Sequence, residues 1–305
     1  MEHPVNYIYN KIAALNPMHG KKLKKNIAFF DDRYYELADA FFEKYTGILQ
    51  AQNKNLDYAI DCYLKMIADV NAETVEFLRT GQYSSTTFDE VNHRVYARPE
   101  TMEYYMHGLI MSQFLWKHHY QVVDFFISNL PAYKGDTKSY LEIGAGHGYY
   151  LSKALEILDV YTNFTVVDIS ETSIALAKDF IKDDRVEFNL QNIYDYNSDN
   201  KFDFITLGEV LEHVENPLQL LMKVNDLLSE DGVLFLTTPT NAPAIDHIYL
   251  FESADFIQDL IHVAGFKIEK EVNLLTEDVS PERAAKLNIA TLYGAFVTKD
   301  KAAYL

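Results

Sequence analysis

The chain of 305 residues has one cysteine, Cys62, so no internal disulfide framework can staple it, and a reducing compartment is expected. Positive charge is scarce as well: 27 Lys and Arg stand against 45 Asp and Glu, a net charge of −18. Phosphate backbones are gripped mainly by Lys and Arg, so nucleic acid is disfavoured as a partner. A small molecule, or one carried on another protein, is the better default. No apolar run is long enough to span a bilayer, and Met1 to Pro4 open no basic-then-apolar leader, so a cytoplasmic protein with no membrane partner is expected. Internal repeats and low-complexity tracts are missing too. What the chain does have is 48% hydrophobic residues, enough over this length for one large core or two moderate ones.

One stretch organises the rest. Tyr140-Leu141-Glu142-Ile143-Gly144-Ala145-Gly146-His147-Gly148-Tyr149-Tyr150 reads as a buried strand, a glycine turn and the start of a helix. Glycines at alternate positions let the backbone turn sharply and let a ligand approach it closely. The following helix directs free N–H groups and its positive dipole end at that ligand. The pattern is that of a loop for a nucleoside-containing cofactor. It is not the dinucleotide fingerprint G-x-G-x-x-G, because the third glycine comes one position early. Glu142 would repel a pyrophosphate and suits a cofactor carrying an ammonium group. Asp168 ends the next apolar run, at the tip of the second expected strand, where a carboxylate accepts two hydrogen bonds from adjacent ribose hydroxyls.

An acidic residue followed by G-x-G-x-G resembles the first motif of the class I S-adenosylmethionine (SAM)-dependent methyltransferases, and the likeness runs from about Ser139 to Thr298. The resemblance implies a Rossmann-like sheet of seven strands, mostly parallel with the last antiparallel, in an α/β domain over residues 135–305. It also implies SAM as cofactor, held by Glu142, Gly144, Gly146, Asp168 and its neighbour Ile169, and by Asn192 and Ile193. Asn192 stands where resembling enzymes carry an Asp that takes the adenine amino group, and Ile193 is expected against the adenine face.

After the fourth expected strand come Glu209, Glu212 and His213, at i, i+3 and i+4, so one helical turn would bring all three to one side. Two carboxylates and an imidazole there hold a divalent cation or supply a base near neutral pH. This E-x-x-E-H segment resembles the ubiquinone-pathway O-methyltransferases and the small-RNA 2′-O-methyltransferases, in which second group it binds metal. The loop after the fifth strand carries His247, a candidate fourth ligand or a base facing the substrate. Two readings stay open: a metal held by Glu209, Glu212, His213 and His247 that chelates a 2-oxo acid or catechol-like substrate, or metal-free catalysis with His213 or His247 as base. A SAM-binding protein without activity and a nucleotide-dependent oxidoreductase are the other classes.

Residues 1–134 carry helical spacing and few strand signals, which predicts an all-helical domain. Helices are expected from Asp32 through Gly47, from Asn55 to Arg79, and from about Tyr96 unbroken to Phe126. Ser84 to Thr87 is a polar connection able to cap the helix after it. The last helix opens on Arg98, Tyr104 and Tyr105. As a roof over the cleft it would offer Arg98 to an anionic substrate group and the tyrosine hydroxyls to the substrate. A homodimer contact is the other use of such a domain.

Overall fold

Among residues 3–301, which the computed structural model describes, every regular element before residue 139 is helical. Met1 and Glu2, which entered the reading of the leader, lie outside the described residues. α1 (Pro4–Leu15), α2 (Pro17–Ile27), α3 (Asp32–Ala51), α4 (Leu56–Thr80), the one-turn α5 (Phe88–Val91), α6 (Pro99–Leu115) and α7 (Lys117–Asn129) succeed one another, with a π-helical turn (Asn92–Tyr96) after α5. Their ends are set locally. Asp31 and Asn55 cap α3 and α4 by accepting the N–H groups of Tyr34 and Tyr58, and Gly81, left-handed at φ 71°, stops α4. Thr87 and Glu90 form a reciprocal capping box at α5.

The unbroken helix expected through Phe126 is two helices. Trp116 is extended (φ −103°, ψ 125°), and its indole N–H donates to the hydroxyl of Tyr63 on α4 at 2.9 Å. That tertiary bond accompanies a break in the helix at a point where the apolar pattern runs on. Met102, Tyr105, Met106, Ile110, Met111 and Phe114 are all buried, so α6 is the interior helix of this half.

β1 (Ser139–Ile143), β2 (Asn163–Asp168), β3 (Val186–Leu190), β4 (Phe202–Gly208), β5 (Leu228–Thr240), β6 (Phe266–Leu275) and β7 (Thr291–Lys299) form one sheet in the order β3-β2-β1-β4-β5-β7-β6. The first five pair in parallel, and β7 runs antiparallel between β5 and β6. This is the doubly wound, seven-stranded sheet that was expected. The chain reverses its direction of travel between β1 and β4, and the crevice at that switch point is where open α/β sheets bind ligands.

Side-chain alternation splits the core. Tyr140, Phe164, Phe204, Phe235 and Phe296 face one side, where they form one continuous apolar cluster with α7, with α8 (Tyr149–Ile157) and α9 (Glu171–Ile181), and with the N-terminal helices. Leu141, Ile143, Ile205, Leu207, Leu234 and Leu236 face the other, under α10 (Pro217–Leu227) and α11 (Ala254–Val263). α12 (Pro281–Leu287) lies between β6 and β7 in the chain. No helix among the described residues is long and apolar enough to cross a membrane.

At Gly294 in β7 an added Cβ would stand 2.9 Å from Val122 Cγ2 on α7, a β-branched side chain that cannot swing aside. Gly294→Val should therefore cost about 1–3 kcal/mol by overpacking, read as a lower denaturant midpoint at unchanged slope.

Candidate active site

The glycine bend follows β1, and all three of its glycines are left-handed: Gly144 at φ 72°, Gly146 at 51° and Gly148 at 76°. A Cβ on Gly144 would meet Val210 Cγ2 at 2.5 Å, whereas Gly146 faces open space. The bend is thus closed on its inner side and open where a ligand would lie. Beside it Glu142 is buried, with a hydrogen bond from the Tyr140 hydroxyl at 2.7 Å. Burial pushes its carboxyl up to about 8, the Tyr140 bond opposes this, and the Asp168 charge adds to it. Asp168, buried at the tip of β2, accepts the Ser170 N–H at 2.7 Å. Burial raises its pKa, against N–H groups of Ser170, Gly146, Ala145 and Ile169 that favour the anion.

Ile169 is half-exposed next to Asp168. Asn192 is exposed, and its side-chain carbonyl accepts the Tyr194 N–H at 3.0 Å. Ile193 packs into the core under the second face of the sheet, so little of it is open to a ligand such as the expected adenine.

At the end of β4 the structure departs from the expected helical turn. Glu209 is left-handed (φ 53°), its N–H is held by the carbonyl and hydroxyl of Thr237 on β5, and its carboxylate accepts the Thr237 hydroxyl at 2.7 Å. A 3-10 turn over Leu211–His213 follows. Glu209 is therefore turned toward β5 and stands outside the cluster that its spacing suggested. The groups that do converge are Glu212, His213 and His247, each offering one ligand atom within 4.8 Å of the others.

Hydrogen bonds fix how these three present themselves. Glu212 Oε2 accepts the Thr238 hydroxyl at 2.8 Å, while Oε1 is buried without a partner, 3.7 Å from His213 Nε2. His213 Nδ1 donates to the Asp246 carbonyl at 2.9 Å, and His247 Nδ1 donates to the Ala242 carbonyl at 2.6 Å. A carbonyl can only accept, so in each neutral ring the lone pair is on Nε2. The two rings meet edge to face, 5.0 Å between centroids. Burial pushes the Glu212 carboxyl up to about 8, and burial followed by the Glu212 charge does the same to Glu209. Burial, with His213 nearby, lowers His247 to about 4.

Of the substrate residues expected on α6, Tyr105 meets the site: its hydroxyl donates to Asp246 at 2.8 Å. Arg98 and Tyr104 do not. Arg98 is exposed with its Nε on the His93 carbonyl, and Tyr104 bonds Asp69 of α4 under the ammonium of Lys65. On a helix enclosed on nearly every side beyond Glu103, sequence spacing does not tell which side faces the cleft. Two residues went unnoticed in the sequence. Asp246 is buried beside His213, and its place directly before His247 was a signal. Tyr96 ends the π-helical turn, and burial and then the charges of Asp246, Asp168 and Glu212 raise its pKa. π-Helical turns concentrate at functional sites.

The family described as "Methyltransferase domain" matches residues 115–271, a span that opens in the helical half and takes in α7. Over 141 residues the chain is 28% identical to the ubiquinone biosynthesis O-methyltransferase of Glaesserella parasuis serovar 5 (strain SH0165), covering 44% of this chain and 58% of that protein. Over 138 residues it is 28% identical to the mitochondrial ubiquinone biosynthesis O-methyltransferase of Candida albicans, covering 44% and 42%. The chain thus spans about half the length of these curated relatives. Among solved structures it is similar in fold to the mitomycin 7-O-methyltransferase MmcR, with a TM-score of 0.52 and 12% identity over 76% of this chain and 67% of that one.

The raised acids have a consequence for stability. Between pH 6.5 and 8 the folded chain keeps protons on Glu142, Glu209 and Glu212 that the unfolded chain has released, so stability falls as pH rises. The buried histidines, with pKa values lowered by burial, work in the opposite direction, mainly below pH 6.5 and fading towards pH 8, and they act equally on the wild type and on a variant at Glu142. Glu142→Gln should remove about 1–2 kcal/mol of that decline, measured by denaturation of the ligand-free protein at pH 6.5 and 8.

Proposed function

Because the chain belongs to the methyltransferase-domain family, in its class I, SAM-dependent form, we propose that it transfers a methyl group to an oxygen or carbon of a small oxygenated metabolite. The observation that carries this reading is a Cβ-free bend, open at Gly146 and flanked by the buried carboxylates of Glu142 and Asp168, that leads to two histidines with free Nε2 lone pairs. Relatives named for ubiquinone O-methylation support an oxygen acceptor.

The residues fit the cofactor. SAM supplies a methyl group on a positively charged sulfur, open to displacement in line. Asp168 would accept from the ribose hydroxyls, and the glycine bend lets the backbone approach the nucleoside. Asn192 keeps a second carbonyl lone pair for the adenine amino group, and the half-exposed Ile169 offers an apolar face. Glu142, which burial keeps largely protonated at neutral pH, ionises at little cost when a cation lies nearby. His213 or His247 takes the acceptor's proton through Nε2. Tyr96 and Tyr105 close the cleft and exclude water. The Tyr105–Asp246 contact supports a helical half that covers the cleft. The single cysteine fits a cytoplasmic setting.

The cluster also fits a divalent cation, with Glu212 Oε1, His213 Nε2 and His247 Nε2 as ligands and Glu209 left out. The orphaned Oε1 and the two carbonyl-oriented rings support that reading. A cation there would polarise the acceptor oxygen.

Calorimetry with S-adenosylhomocysteine should show binding that Asp168→Ala weakens about 10–100-fold, the loss of charge-assisted hydrogen bonds. Absence of any heat with the wild-type protein would reject the whole reading. With methyl-labelled SAM and metabolite fractions, His213→Ala should lower transfer about 10²–10⁴-fold at unchanged cofactor affinity. Full transfer after chelation would remove the cation and leave the base.

A further inference from the structure

We infer that the helical half positions both histidines of the site: Tyr83 fixes His247, and Tyr105 fixes His213. The inference rests on the reading that the two Nε2 atoms are the working atoms. It concerns how they are held.

The two tyrosines come from different parts of the helical half and act on one loop. Tyr83 lies in the connection between α4 and α5 and is buried. Its hydroxyl accepts the Ala242 N–H at 3.0 Å, and the carbonyl of that same residue holds His247 Nδ1–H. The Tyr83 ring also lies 5.8 Å from the His247 ring, edge to face. Tyr105 comes from α6. Its hydroxyl donates to Asp246 Oδ1, and the backbone carbonyl of Asp246 holds His213 Nδ1–H. Each histidine is thus oriented by a backbone carbonyl, and each carbonyl belongs to a residue tied down by a tyrosine of the helical half.

The loop needs such ties. Between Asn241 and Ser253 it has no helix or strand, and few backbone bonds hold it from within. Its other anchor to the site is the Glu212 carbonyl, which accepts the N–H groups of Ile248 and Tyr249. A further tie, the Phe88 N–H on Glu215, fastens α5 two residues past His213. With a tyrosine tie cut, Ala242 or Asp246 is free to shift, its carbonyl leaves Nδ1, and the ring takes up the other tautomer or another orientation.

The test uses the full-length protein with 15N-labelled histidines at pH 8, comparing wild type with Tyr83→Phe and Tyr105→Phe. The ring-nitrogen spectra should place both wild-type rings in the Nδ1–H tautomer. Tyr83→Phe should turn His247 into a tautomer mixture and leave His213 alone, and Tyr105→Phe should do the reverse. The affinity for S-adenosylhomocysteine should hold in both variants, and each should change one ring only, a selectivity that general loosening would not give. Zn2+ affinity should fall about 10–100-fold in each, the usual effect of losing an outer-shell partner. Unchanged tautomers in both variants would overturn the inference, as would both rings changing together in each variant. If Zn2+ binds neither the wild type nor the variants, the cation reading falls, and the tautomers still decide the positioning.

Discussion

Burial of negative charge without a positive side chain beside it is the constraint on which this site is built. Glu142, Asp168, Glu209, Glu212 and Asp246 lie around the carboxyl ends of the parallel strands, and the hydrogen bonds described for them come from hydroxyl and backbone N–H groups. Isolated carboxylates in such a place are costly, so Glu142, Asp168, Glu209 and Glu212 hold protons to higher pH. A positively charged ligand relieves that cost. A sulfonium, an ammonium group or a divalent cation would each find the cleft ready, whereas a diphosphate would not.

The helical half takes part in this arrangement and is more than an appendage. Its apolar cluster continues into one face of the sheet, and α7 packs over β7 where Gly294 makes room for Val122. On that base α6 and the segment from Tyr83 to Tyr96 reach the loops after β4 and β5. The sheet supplies the carboxylates and imidazoles, and the helices supply the phenols that face them.

Much of this was legible in the chain because it is local. The glycine bend, the acid before it and Asp168 at the tip of the second strand sit within one βαβ unit, and the seven-stranded sheet is what the resemblance carried by that unit implies. The same holds for the polar run that ends in the cap at Thr87. What escaped depends on distant partners or on backbone that breaks periodicity. Glu209 looked like the first member of a helical face, but its left-handed φ sends its carboxylate to Thr237 on another strand. Trp116 interrupts a helix whose apolar pattern runs on, and its indole bonds Tyr63, 53 residues away in the chain. Arg98 and Tyr104 could not be told from Tyr105 by spacing, because beyond Glu103 the helix is enclosed on nearly every side and its apolar pattern sets no phase. Asp246 becomes notable once Tyr105 is seen to reach it, 141 residues away in the chain.

That interior helix also bears on how the sequence can drift. Along α4, Val75 and Leu78 are open to water, and replacements there meet solvent. From Tyr105 to Leu115 nearly every position of α6 is enclosed, so almost any exchange adds a void, a clash or an unmatched polar atom. Descendants of this chain that still fold should vary freely at its rim and hardly at all along this inner rod, whatever acceptor they come to serve.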